Sequence, residues 1–138
     1  MSTLVDLAVL ADYAMVDQHG KLSVLGIWRQ VVVSQLPALH PRAHLVLHLR
    51  GRRTELGSHQ LSVRLLDPSG ATLLEQGGMM EVNEPPAGVV EVETSAVFVF
   101  DLPLPSAGDY VFVVALDHLE AARVQFHVGL AVMPTSMH

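Results

Sequence analysis

Three histidines, His40, His44 and His48, recur at every fourth position. On a helix that spacing stacks imidazoles on one face, where they could share a metal ion. Pro41 interrupts the series, however, and Leu45-Val46-Leu47 reads as strand. Residues four apart on a strand are separated by about 13 Å at a rise of about 3.3 Å per residue, too far for one ion to bridge. His59, on the following strand, offers a further ligand by cross-strand pairing. The expectation is no bound metal, no cofactor and no catalytic residue.

Other chemistries find less support. No Gly-x-Ser-x-Gly elbow, Walker loop, His-Glu-x-x-His or dinucleotide fingerprint occurs. Glu81 with Glu84, and Glu91 with Glu93, are paired carboxylates, but acid–base work needs a cleft and separated pKa values. Arg50-Gly51-Arg52-Arg53 is the best local candidate for an anion or an acidic protein partner, because the guanidinium fork matches carboxylate and phosphate. It lacks the interleaved aromatics of a nucleic-acid surface. Only Tyr13 and Trp28 are left as sugar platforms, since Phe98, Phe100, Tyr110, Phe112 and Phe126 fall on an apparent core phase.

The elements that must position these groups are strands. Thr94 to Phe100 and Tyr110 to Leu116 alternate large and small residues with period two, and no stretch sustains a 3.6-residue apolar period. Leu4 to Tyr13 reads as a first strand, and Lys21 to Gln35 as a long second one in which Gly26 marks a bulge or a close backbone approach. A loop holds Pro37, His40 and Pro41. Ala43 to Leu49 and His59 to Leu66 follow, then a turn at Asp67-Pro68-Ser69-Gly70 and a hairpin partner from Ala71 to Glu75. Gly77-Gly78 could bend or end that partner. Glu84 to Gly88 connects to a long strand, Val89 to Leu102. Tyr110 to Leu116 and Ala122 to Val128 close the series through a turn at Asp117 to Glu120.

About eight strands without helices predict an all-β antiparallel β-sandwich, immunoglobulin-like or jelly-roll-like. One domain is expected over residues 1–132, with a tail at 133–138. Tyr110, opening the penultimate strand after a loop, stands where a tyrosine corner would bond the preceding backbone.

Bulk properties set further bounds. The chain has 138 residues, a formal net charge of −6 and no cysteine. Disulfides, thiolate metal sites and cysteine nucleophiles are therefore excluded. The acidic balance supplies no overall field for nucleic acid or anionic membrane. Met1 to Ala14 lacks a basic leader and is broken by Asp6 and Asp12, so it reads as a strand and not a signal peptide. No run of 18 apolar residues predicts a membrane helix. A cytoplasmic setting is expected.

Half the residues are hydrophobic and mean hydropathy is +0.38. That surplus reaches the second phase of the strands. Val97 and Val99 lie opposite the Phe98/Phe100 phase, and Val111 and Val113 opposite Tyr110/Phe112. Together with Arg50, Arg52 and Arg53 they form the candidate interaction surface, and the valines point to a homo-oligomer. Glu75, Glu81, Glu84, Glu91 and Glu93 form an acidic stretch that could complement a partner.

Leu10-Ala11-Asp12-Tyr13, Gly20-Lys21-Leu22, Leu25-Gly26-Ile27, and Pro105 with Gly108-Asp109-Tyr110 resemble a family of small bacterial all-β proteins of unknown function. The resemblance spans residues 4 to 128 and implies a β-sandwich with no established activity or ligand. Asp117-His118-Leu119-Glu120 departs from it where Asp-Gly is expected. Function is read as a non-catalytic structural or protein-interaction module. The alternatives are a small-ligand or carbohydrate-binding sandwich, favoured by a concave pocket at Trp28 or Tyr13, and a metal-dependent enzyme, favoured by three converging histidines.

Overall fold

The computed structural model describes residues 4–52, 56–84, 86–89 and 91–131, without the side chains of Leu4 and Arg52. Within them run nine strands: β1 (Leu4–Val16), β2 (Leu22–Trp28), β3 (Gln30–Val33), β4 (Ala38–Arg52), β5 (Gly57–Leu66), β6 (Thr72–Val82), β7 (Glu91–Leu104), β8 (Gly108–Leu116) and β9 (Leu119–Leu130). One sheet has the order β2-β1-β4-β7 and the other β3-β9-β8-β5-β6. All pairings are antiparallel except β3 with β9.

The all-β sandwich follows from the period-two pattern. Leu45, Leu47 and Leu49 of β4, Leu61, Val63 and Leu65 of β5, and Tyr110, Phe112 and Val114 of β8 are closed to solvent between the sheets. Two hairpins close through the same chemistry. Asp17 Oδ1 accepts from the N–H of His19 and Lys21, and Asp67 Oδ1 from the N–H of Ser69 and Ala71. A glycine at positive φ ends each turn, Gly20 at 83° and Gly70 at 90°.

The tyrosine corner is present. Tyr110 Oη donates to Ser106 O at 2.6 Å and accepts from Ser106 N–H at 3.2 Å. With β3 lying parallel on the last strand, this selects the immunoglobulin-like arrangement over the jelly roll.

Several expected boundaries are corrected. The long second strand is two, because the chain leaves one sheet after Trp28 and enters the other at Gln30. Gly26 does mark a close approach. Its φ is +69°, and a Cβ there would lie 2.5 Å from Asp12 Oδ2. His40 and Pro41 are not in a loop but inside β4, where Arg42 takes a φ of 54° and the register with β7 slips between His40 and Ala43. Gly77-Gly78 neither bends nor ends its strand, since β6 pairs with β5 through both. The expected tail at 133–138 lies outside the described residues.

Candidate interaction face

The outward face of the four-stranded sheet gathers the apolar residues that the core does not use. Register places Ile27, Ala11, His44 and Val99 in one row, and Val9, Val46 and Val97 in the next. Leu25 and Tyr13 pair beside them. Ala11, Ala14 and Val46 are buried in a small cluster separate from the main core, with Val9, Leu22, Val24 and Val97 packed against it. Around it Leu25 is 65% exposed, Ile27 58%, Val99 50% and Tyr13 46%. Scattered exposed apolar residues are ordinary; a contiguous set on one flat face marks a contact surface.

One end of this face is charged. His48 Nδ1 lies 3.0 Å from Asp6 Oδ2, and its Nε2 lies 3.4 Å from Glu93 Oε1. Arg50 stands 3.5 Å from both Asp6 and Glu91. The guanidinium read from sequence as a handle for an acidic partner is thus held by the chain's own carboxylates. The side chain of Arg52 and all of Arg53 lie outside the described residues.

The valines read as one surface are divided. Val97 and Val99 lie on β7 in the four-stranded sheet, whereas Val111 and Val113 lie on β8 in the other. The two pairs point out of opposite sides of the sandwich. Val113 is only 3% exposed. Its neighbours in register are Arg64 and Arg123, and arginine stems cover apolar surface in this way. Sequence reasoning missed Leu25 and Ile27 as members of the face, for which the alternation Leu25-Gly26-Ile27 was a signal; Tyr13 was set apart from the core phase without being placed on this face.

The histidines do not converge. The slip in β4 puts His40 opposite Leu102 on the core phase, with its ring 4.9 Å from Trp28, while His44 faces outward beside Tyr13. Burial holds the His40 pKa below its usual value, against the raising influence of Asp12. His59 belongs to the other sheet and lies 2.7 Å from Asp117. Among the described residues no group of three His, Asp or Glu is placed to hold a metal ion. Nor are the paired carboxylates enclosed: Glu81 accepts from Ser58 Oγ, and Glu91 and Glu93 lie on the outer face beside Arg50 and His48.

Trp28 does border a concavity. A cavity of about 230 Å³ lies between β1, the end of β2 and β9, lined by Leu10, Ile27, Trp28, Arg29, Arg123 and Gln125 among others. The Trp28 ring packs edge-on against Phe126 at 5.6 Å. Its Nε1 is shielded from solvent without an acceptor among the described residues.

A family model described as a family of unknown function (DUF6941) matches residues 6–129. No curated protein matches the sequence significantly. Among solved structures, an alkylpurine DNA glycosylase of Pseudomonas fluorescens bound to DNA with an abasic-site analogue is 7% identical with a TM-score of 0.46, over 92% of this chain and 30% of that one. A glycosyl hydrolase family 2 member from Bacteroides cellulosilyticus is 13% identical with a TM-score of 0.41, over 67% of this chain and 14% of that one. An immunoglobulin-like protein from Pseudomonas aeruginosa is 13% identical with a TM-score of 0.41, over 93% of this chain and 97% of that one. The chain spans under a third of the glycosylase and about a seventh of the hydrolase. At these identities and scores the likenesses carry no statement about activity or ligand.

Proposed function

Because the chain belongs to the DUF6941 family, whose function is unknown, we propose from its geometry that it is a non-catalytic interaction module that self-associates through the four-stranded sheet. The observation that carries this reading is the contiguous apolar face of Leu25, Ile27, Tyr13 and Val99 around buried Val46. A two-fold contact is the common solution for such a self-complementary patch. Completing the burial of each of the four is worth roughly 1 kcal/mol at about 25 cal/mol per Å². Two-fold symmetry doubles that to about 8 kcal/mol, against an association cost of roughly 4–15 kcal/mol. The resulting assembly is concentration-dependent. The charged end of the face fixes register more than it adds affinity.

Light scattering across a concentration series tests this. Mass should rise above 14.9 kDa with concentration. Ile27→Lys and Val99→Lys should each return the chain to a monomer with an unchanged melting temperature. A monomer at every concentration defeats the reading. Among the described residues no helix is long and apolar enough to cross a membrane. The cysteine-free, acidic composition supports a cytoplasmic protein that binds neither nucleic acid nor anionic lipid.

A second reading rests on the cavity at Trp28. At about 230 Å³ it is smaller than the roughly 300–1,000 Å³ of ordinary ligand sites, but its buried indole N–H has no acceptor among the described residues. A small carbonyl- or hydroxyl-bearing ligand would supply one. Quenching of the single tryptophan by such compounds, lost on occluding the cavity with Ala8→Phe, would favour this over self-association.

A further inference from the structure

On the far side of the sandwich from β2 and β3, both sheets end, among the described residues, in a strand with no further neighbour in its sheet, β6 in one and β7 in the other. Between them lies a slot of about 300 Å³, walled by Leu61, Gln76 and Met80 on one side and Ala96 and Phe98 on the other. We propose that this slot receives an extended segment of a basic partner protein, which adds as a fifth strand to the β7 edge and drops apolar side chains over Gly78.

Three observations converge. The first is the free edges. Each presents a row of backbone donors and acceptors to whatever lies beside it. Natural edge strands are commonly blunted by Lys or Pro; β7 has no Lys, and its one proline, Pro103, stands near the far end of the strand opposite Leu39, away from the slot at Ala96 and Phe98.

The second is Gly78. It pairs with Leu61, whose side chain faces the core, so position 78 is on the inward phase. Its φ is not positive, and an added Cβ would meet no atom within 4 Å. Nothing among the described residues therefore calls for glycine there. Glycine in a strand interior weakens it and often marks where another chain comes close. The missing side chain is what leaves the slot open between Leu61, Met80 and Phe98.

The third is charge. No Lys or Arg occurs between Arg64 and Arg123, while Glu75 and Glu81 of β6 and Glu91 and Glu93 of β7 stand on the outward phases of the two edge strands, and the side chains of Glu91 and Glu93 stay 61% and 62% exposed although they also meet Arg50 and His48. Two copies brought edge to edge would oppose carboxylates. A segment with apolar residues at alternate positions and Lys or Arg between them meets both the slot and its rim.

The probe is a blocked nine-residue peptide alternating lysine and valine. Its controls are a glutamate–valine peptide and a lysine–valine peptide with proline at its centre. Titration calorimetry should show saturable binding of the first, with each control weaker by about tenfold or more. Amide exchange at the outer edge of β7 should slow on binding. Gly78→Leu, which fills the slot, should weaken binding by about tenfold or more while the chain stays folded. Should that variant not fold, Glu93→Lys carries the test, with the same loss expected.

Equal binding of the proline peptide would reduce the effect to charge and overturn the proposal. So would wild-type affinity in the filled or charge-reversed variant. Self-association abolished by Gly78→Leu but not by Ile27→Lys would make the occupant a second copy, which also overturns it.

Discussion

At the residue scale, the informative positions are those where the chain accepts a local cost. Asp117 and His118 form the two-residue loop between β8 and β9 with φ of 50° and 71°. That turn wants positive φ at both positions, and glycine is the usual second residue. Asp tolerates the conformation and is rewarded there. Its carboxylate accepts from Gln60 N–H at 2.9 Å and meets His59 Nδ1 at 2.7 Å. Among the described residues no hydrogen bond holds the His118 ring. Replacing His118 with Gly should therefore stabilise the chain by about 1 kcal/mol, relieving the left-handed strain less glycine's own entropy cost. A thermal melt would show a rise of roughly 4 °C; a fall would mean that the imidazole has an important contact.

The neighbouring carboxylate sets a pH dependence. The hydrogen bond with His59, and then that from Gln60 N–H, hold the Asp117 pKa below its usual value. A depressed carboxylate stabilises the fold above its unfolded pKa of about 3.9, and the contribution is lost as pH falls through the lower folded value. Asp117→Asn keeps an acceptor and tolerates the turn, so it removes the charge alone. Urea melts should find the variant less stable at neutral pH and the two chains converging below about pH 4. A constant gap down to pH 2 would place the stabilisation elsewhere.

At the element scale, what could be read depended on whether its cause was local. Asp67-Pro68-Ser69-Gly70 was legible because the turn closes on its own side chain. The tyrosine corner was legible because its partner, Ser106, is four residues away. Removing the hydroxyl with Tyr110→Phe should cost about 1–3 kcal/mol, since Ser106 loses both a donor and an acceptor in a part-buried site. Chemical denaturation would measure it, and a change under about 0.5 kcal/mol would reduce the corner to packing. The division of Lys21 to Gln35 into β2 and β3 was not legible. Both halves alternate as strands, and their separation is visible only in different partners, β1 for one and β9 for the other. The slip at Pro41-Arg42 was hidden for the same reason, and it decided which way His40 points.

At the scale of the whole molecule, the two outward sheet faces behave differently although both carry valine. Val113 is buried and Val99 is half exposed. Val113→Lys should thus destabilise the fold by about 2 kcal/mol or more, by removing a buried valine and adding a cation beside Arg64 and Arg123. It should leave self-association unchanged once the chain is folded, the reverse of Val99→Lys. A double-variant series combining melts and light scattering separates the two effects.

The all-β class, the inward phase of nearly every strand and the turns are legible in the residues alone, because alternation and turn chemistry are properties of chain neighbours. So is an excess of apolar residues on the outward phase. Only the tertiary structure decided that Val97 and Val99 share a face with Ile27 and Tyr13 but not with Val113, and that Gly78 leaves a slot opposite Phe98. Strand order and register bring together residues distant in sequence, and period-two alternation is the same whichever strand lies alongside.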